Sequence, residues 1–384
     1  EGMKKNIFKS NGFQSLLASL LCIVLGLFLG YLVLLVINPA GAGEAILTVV
    51  KNFLTYKKTS SQLKYLGNTL VKTAPLLMCS LSVLFAYKVG LFNIGAAGQY
   101  CFGVALSLYA ALGLGWSWLP CLLVAMAGGA VLGAISGVLK SYCNVNEVIS
   151  GIMLNWIVLY LTNMLLTTVK EAASPYTIVL ANNNPSAVLP SLGLGALFNK
   201  NQYVGLAIPL SIVMAILIWI VLDKTRFGYE LKATGFNRNA AKYCGMAEKR
   251  NVILSLVISG ALAGMGAALL YLTGYEQWQC STSSVPAMGF NGISVALLAS
   301  SNPIGTIFSA LFISHISVGG TFLSTKYYPT EIADLISGII IYLCAFSMLF
   351  RGKIQKLLFK NADKTNVNAE PAPAEKANAK KEGK

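Results

Sequence analysis

The chain is cut into apolar runs long enough to cross a membrane, and this removes most of the folds open to 384 residues. Residues 16–37 contain no charged side chain. At about 1.5 Å per residue such a helix spans a hydrocarbon core ~30 Å thick. Residues 203–222 and 252–273 are built the same way. Backbone N–H and C=O groups find no water inside a bilayer, so each run must satisfy its own as a helix. The composition agrees, with 55% hydrophobic residues, 11% charged residues and a mean hydropathy of +0.66. The expected fold class is all-α, a polytopic membrane protein.

Charge sets the orientation. The longest polar stretch between two apolar runs, 223–251, carries Lys224, Arg226, Lys232, Arg238, Lys242, Lys249 and Arg250 against Asp223, Glu230 and Glu248. Positively charged loops are retained on the cytoplasmic side, so this loop faces the cytosol. The same rule places Lys4, Lys5 and Lys9 inside, followed by spans at 16–37, 67–87, 94–115, 118–139, 148–169, 203–222 and 252–273. An apolar patch at Ile46, Leu47, Val50, Phe53 and Leu54 in the outer loop suits an interfacial helix. Segments 288–300 and 304–320 read either as two spans or as a re-entrant hairpin entered from outside, and 332–350 returns to the basic end at Arg351, Lys353, Lys356 and Lys360. This gives about ten transmembrane helices with both termini cytoplasmic.

The domain plan is a cytoplasmic N-terminus over 1–13, in which Glu1-Gly2 ahead of Met3 reads as a cloning scar, a transmembrane domain over 14–350 containing the loop 223–251, and a basic tail over 361–384 too poor in apolar residues to bury a core. The formal charge of +15 follows from topology and does not indicate nucleic acid. Eight cysteines are scattered without a Cys-x-x-Cys pair, which argues against a disulfide framework and a zinc site. His315, the one histidine, lies in an apolar run and reads as a satisfied intramembrane residue.

Within the basic loop, Asn237 suits a helix cap, Ala240 and Ala241 favour helix, and Gly245 suits its end. Asn239-Ala240-Ala241 followed by Gly245 resembles the cytoplasmic coupling helix of ABC importer permeases, with Asn in place of the usual Glu. Gly90 to Gln99, reading Gly-Leu-Phe-Asn-Ile-Gly-Ala-Ala-Gly-Gln, resembles a stretch of the permeases for nucleosides and simple sugars. Asn146-Glu147-Val148, Ser259 to Gly264 and Gly289 to Leu298 match the same family in the same order. The resemblance runs from about Gly67 to Phe350 and implies two related bundles, with Phe92-Asn93 and Phe290-Asn291 as corresponding points.

The amides Asn93, Gln99, Asn155, Asn163 and Asn291, with Thr162, are the candidate translocation-pathway residues, because neutral amides bind a polyhydroxyl solute without burying charge. Each is equally suited to bonding a neighbouring helix. Glu147 is a candidate gate or cap at a helix entrance. Gly129, Gly133 and Gly137, with Gly260 and Gly264, read as close-packing positions. No phosphate-binding Gly-x-x-x-x-Gly-Lys-Ser/Thr occurs, and few ionisable groups (Lys72, Glu147, His315, Asp334) fall within the spans, which disfavours an ion-coupled carrier. A channel lacks a filter pattern, and a membrane enzyme lacks a catalytic constellation.

By resemblance, the chain is a permease of the bacterial cell membrane that itself binds no cofactor. A partner ABC ATPase binds ATP and Mg, a second, related but different permease completes the pore, and an extracellular binding lipoprotein delivers solute. Nucleosides, purine ones first, are preferred as cargo. A ribose-type sugar is the alternative.

Overall fold

A computed structural model describes residues 11–323, 328 and 332–345. The parts of the N-terminus before 11, of the last outer loop, of the last span beyond 345 and the whole basic tail lie outside the described residues. The chain folds into helices α1 (Asn11–Ile37), α2 (Ala42–Lys51), α3 (Thr59–Tyr87), α4 (Ala96–Leu112), α5 (Trp118–Tyr142), α6 (Glu147–Leu166), the single turns α7 (Leu180–Asn183) and α8 (Leu194–Leu197), then α9 (Ala207–Lys224), α10 (Arg226–Phe236), α11 (Arg238–Tyr243), α12 (Glu248–Tyr271), α13 (Ala287–Leu298), α14 (Pro303–Gly320) and α15 (Ile332–Ala345). No strand occurs among the described residues, where extended pairing is limited to two isolated bridges. Among the described residues six helices are long and apolar enough to cross a membrane: α3, α5, α6 with its extension to Val169, α9, α12 and α14.

The apolar helices α4 and α13 are shorter. With 12 residues, α13 extends about 18 Å, less than a ~30 Å core, whereas α14 extends about 27 Å. Between them Ser300 and Ser301 adopt positive φ, and Asn302 caps α14 by accepting from Ile304 N and Gly305 N at 2.9 and 3.1 Å. The sequence left two spans or a hairpin open for this region, and the structure makes its two arms unequal.

The centre is formed by α3 and α12, the two helices most fully surrounded by protein. The broadest contact of α12 is with α5, and glycine is the reason. A methyl group on Gly129 would run into the Gly260 carbonyl, one on Gly133 into the Leu256 carbonyl, and one on Gly264 into the Ala125 carbonyl. These are the close-packing glycines expected from sequence. They bring two backbones together where lipid offers no hydrophobic drive and van der Waals contact must hold the helices.

Residues 170–202 are more tightly bound than an Asn-, Pro- and Ser-rich loop suggests. Leu180, Ala187 and Leu189 are buried. Asn184 donates to the carbonyls of Ala111 and Trp116 at 2.8 and 2.9 Å, and Asn201 to Lys64 O and Asn68 Oδ1 at 2.9 and 2.8 Å. The asparagines strap the segment to the carboxyl end of α4, where Ala111 offers a carbonyl without a partner inside the helix, and to the first turns of α3. His315 is satisfied as expected: Nε2 meets the Val50 carbonyl at 2.8 Å and Nδ1 meets Asn52 Nδ2 at 3.4 Å. Both ring nitrogens thus have polar partners.

Candidate functional site

The stretch that leads into α4 carries the densest buried polar cluster. Asn93 Nδ2 donates to Ser259 Oγ at 2.7 Å, to Gln99 Oε1 at 2.8 Å and to Ser82 Oγ at 3.3 Å, while Gln99 Nε2 donates back to Asn93 Oδ1 at 3.3 Å. Ser82 and Ser259 lie 3.0 Å apart. All four side chains are buried, and they join α3, α4 and α12. A buried amide costs free energy unless paired, and here each one is paired by its neighbours.

Asn155 of α6 binds the same region from the other side. Its Oδ1 accepts from Gly98 N at 2.8 Å, one of the first-turn N–H groups of α4 that has no partner inside the helix, and its Nδ2 donates to the Ile94 carbonyl at 3.1 Å. A Cβ on Gly98 would lie 2.6 Å from that Oδ1. Glycine is therefore what lets α6 close in. Thr162, on the same stripe, exchanges contacts with Cys101 at 3.3 Å.

Asn163 points toward the loop 272–286. It donates to the Thr282 carbonyl at 2.8 Å and accepts from Trp278 Nε1 at 2.9 Å. Asn291 on α13 is half-buried and makes no side-chain hydrogen bond among the described residues. The first turns of α4 and α13 meet, since a methyl group on Gly289 would run into the backbone of Ala97. The two Phe-Asn motifs thus flank one junction. Of the six pathway candidates, Asn93, Gln99, Asn155 and Thr162 are joined in the packed interior, Asn163 holds the loop, and Asn291 is unengaged.

α6 starts at Glu147, but the capping side chain is Asn146, which accepts from Val148 N at 2.8 Å. Glu147 pairs with Lys140 at 2.7 Å and borders a cavity of about 440 Å³ that Lys88, Phe92, Lys232 and Gly235 also line. Burial lowers the Lys88 pKa below its ordinary value, opposed by Asp223 and reinforced by Lys232.

The basic loop holds two helices where the sequence pointed to one. Thr225 starts α10 by accepting from Gly228 N at 3.1 Å. Asn237 caps α11 as expected, accepting from Ala240 N at 3.0 Å. The end of α11 is a Schellman turn: Met246 N bonds the Ala241 carbonyl and Gly245 N the Lys242 carbonyl, both at 3.0 Å, with Gly245 at φ +79°. Asn239 and Ala240 face outward while Ala241 is buried. Arg238 pairs with Glu248 at 3.3 Å and ties α11 to α12. Sequence reasoning missed Phe236 and Tyr243, two aromatic rings 95% and 93% exposed at either end of this helix. They close α10 and α11 respectively, with extended Asn237 between the two helices.

Residues 65–345 match the family described as branched-chain amino acid transport system / permease component. The guanosine ABC transporter permease protein NupP of Bacillus subtilis is 31% identical over 91% of this chain and 98% of its own length. The nucleoside ABC transporter permease protein NupB of Lactococcus lactis is 31% identical over 94% of this chain and all of its own. NupC of the same organism, also a nucleoside ABC transporter permease protein, is 28% identical over 70% of this chain and 87% of its own. No solved structure matches.

Proposed function

Since this chain belongs to the branched-chain amino acid transport system permease component family, we propose that it is the permease of an ATP-driven importer that brings nucleosides, purine nucleosides first, into a bacterial cell. The observation that carries the cargo is the match to two nucleoside permeases along nearly their whole length. In this reading about ten spans arranged as two related bundles over 14–350 sit in the plasma membrane with both termini cytoplasmic, flanked by the N-terminus 1–13 and the tail 361–384.

The chain binds no cofactor of its own. ATP and Mg belong to a partner ATPase, which grips Asn239, Ala240, Ala241 and Gly245 in the loop 223–251. Two permeases of one organism, NupB and NupC, both resemble this chain, which supports a second, different permease as its neighbour. An extracellular binding lipoprotein hands over solute. Asn291 is the pathway residue free to touch solute as the structure stands, and Asn93, Gln99, Asn155, Thr162 and Asn163 frame the path and reach it when the junction of α4 and α13 opens. Glu147, paired with Lys140 beside the cytoplasmic cavity, is the inner gate.

Reconstitution with its ATPase, second permease and binding protein tests this. Labelled guanosine should accumulate in an ATP-dependent way. Ribose uptake without guanosine uptake would move the chain to the sugar branch, and uptake by the chain alone on a proton or sodium gradient would end the ATP-driven reading.

A further inference from the structure

We propose that the free side of α6, with Trp156 and Tyr160 near its middle and Phe290 of α13 across the first turn of α4, is the surface on which a nucleoside base stacks during passage. The inference rests on the nucleoside reading above and adds which residues recognise the base.

One side of α6 is committed to the bundle, with Gly151, Asn155, Leu159 and Thr162 buried. The other exposes Ile149, Met153, Trp156, Tyr160 and Met164. Exposed apolar side chains are ordinary where lipid covers a helix, and α9 shows what that looks like here: Ile212, Val213, Ile216, Leu217 and Ile220, aliphatic throughout. The α6 face differs in carrying an indole and a phenol. Trp156 lies about 14 Å along the helix from Glu147, close to the midpoint of a ~30 Å core. At a lipid contact Trp and Tyr belong at the headgroups, because the N–H and O–H need partners that hydrocarbon does not provide. Trp156 is 45% exposed and Tyr160 60%. Neither polar tip has a hydrogen bond among the described residues.

The register of α6 shows which way this face looks. Asn163 follows Trp156 by seven residues and Tyr160 by three, so all three share one stripe. Asn163 is bonded to Trp278 and Thr282 of the loop that runs into α13. Next to α4, Gly98 touches Asn155 of α6 while its neighbour Ala97 touches Gly289 of α13. Phe290, the residue after that contact, is exposed. The two aromatic positions of α6 and that of α13 thus lie on the two helices that border the first turn of α4.

A base offers a flat π face and polar edges, whereas a free sugar offers hydroxyls and a puckered ring of C–H groups without a π system. Amides serve both, but aromatic rings favour the base, and truncating a stacked ring to alanine weakens binding by about tenfold. An indole N–H and a phenol O–H add contacts to the base edge without a buried charge.

The test uses the full complex in proteoliposomes. Trp156→Ala with Tyr160→Ala should lower guanosine uptake at least about tenfold, and Trp156→Phe with Tyr160→Phe should keep most of it. Separately, Tyr160→Cys is made with the exposed thiols removed by Cys143→Ser and Cys244→Ser. A water-soluble thiol reagent should label the introduced thiol, and excess guanosine, but not ribose, should protect it. Wild-type uptake by the alanine pair, or a thiol the reagent never reaches, would overturn the inference and leave the nucleoside reading intact. If the alanine pair does not assemble, the labelling decides. A wild-type complex that carries ribose and refuses guanosine would overturn both.

Discussion

Gly235 of α10 lies against the backbone of Lys88, so close that a Cβ on it would sit 2.6 Å from the Lys88 carbonyl oxygen. Gly90, at φ +72°, packs under the Gly235 carbonyl from the other side. Asn93 and its polar cluster follow a few residues later. α10 and the stretch that leads to the amide cluster are therefore joined through touching main chain, which has no rotamers to absorb a push.

Gly235→Ala forces that contact apart. It should cost about 1–3 kcal/mol, the usual penalty for an overpacked site, and uptake should fall more than ATP hydrolysis. Parallel assays of both in the reconstituted complex check this; equal losses would mean simple misfolding.

Gly245 holds a left-handed backbone that costs other residues about 1–2 kcal/mol, and Ala241 is the buried residue of α11. Gly245→Val and Ala241→Leu should each separate ATP hydrolysis from uptake while leaving expression intact. Unchanged uptake in both would remove this helix as the link to the ATPase.

Asn155→Ala leaves the Gly98 N–H and the Ile94 carbonyl without partners inside the bundle. Each orphan costs about 1–3 kcal/mol, so thermal unfolding in detergent should come at a clearly lower temperature. Asn155→Asp keeps the acceptor for Gly98 N at a helix amino end, where negative charge is favoured, and should recover part of the loss.

Lys88 has its pKa lowered from 10.5, chiefly by burial. A lysine depressed in the folded state holds its proton less tightly there than in the unfolded chain. Its charged form therefore penalises folding at low pH, and the penalty fades as pH rises through the folded pKa toward 10.5. Stability should climb over that window in the native protein. In Lys88→Met this part of the climb should be missing, as melting temperatures at stepped alkaline pH would show.

Gly133→Val sets a branched side chain against the Leu256 carbonyl, and Gly137→Ala a methyl group 2.9 Å from Ile253 Cα. The first should abolish a stable fold and the second should weaken it, read as yield of monodisperse protein. A normal yield of Gly133→Val would contradict the backbone contact.

The helices, the cap at Asn237 and the turn at Gly245 were legible because each depends on local chemistry. The glycines of α5 and α12 were legible because a four-residue spacing has one plain use in lipid. The inner and outer sides of α6 were not: lipid and protein interior are equally apolar, so periodicity that separates core from surface in water is silent there. For the same reason sequence could name Asn93 and Gln99 as polar but not show that they bond each other. It also left α10 unseen, since Gly228 and Gly235 argue against helix locally and tertiary contact overrides them.

Where α5 and α12 meet main chain to main chain, no layer of side chains can re-sort between them. The pair must tilt as a single beam, with any change of shape pushed to elements joined by ordinary side-chain packing. The first turn of α4 is tied in the same way, with Gly98 and Gly151 setting its backbone against that of α6, so α6 is clamped along one edge while its other side stays uncovered.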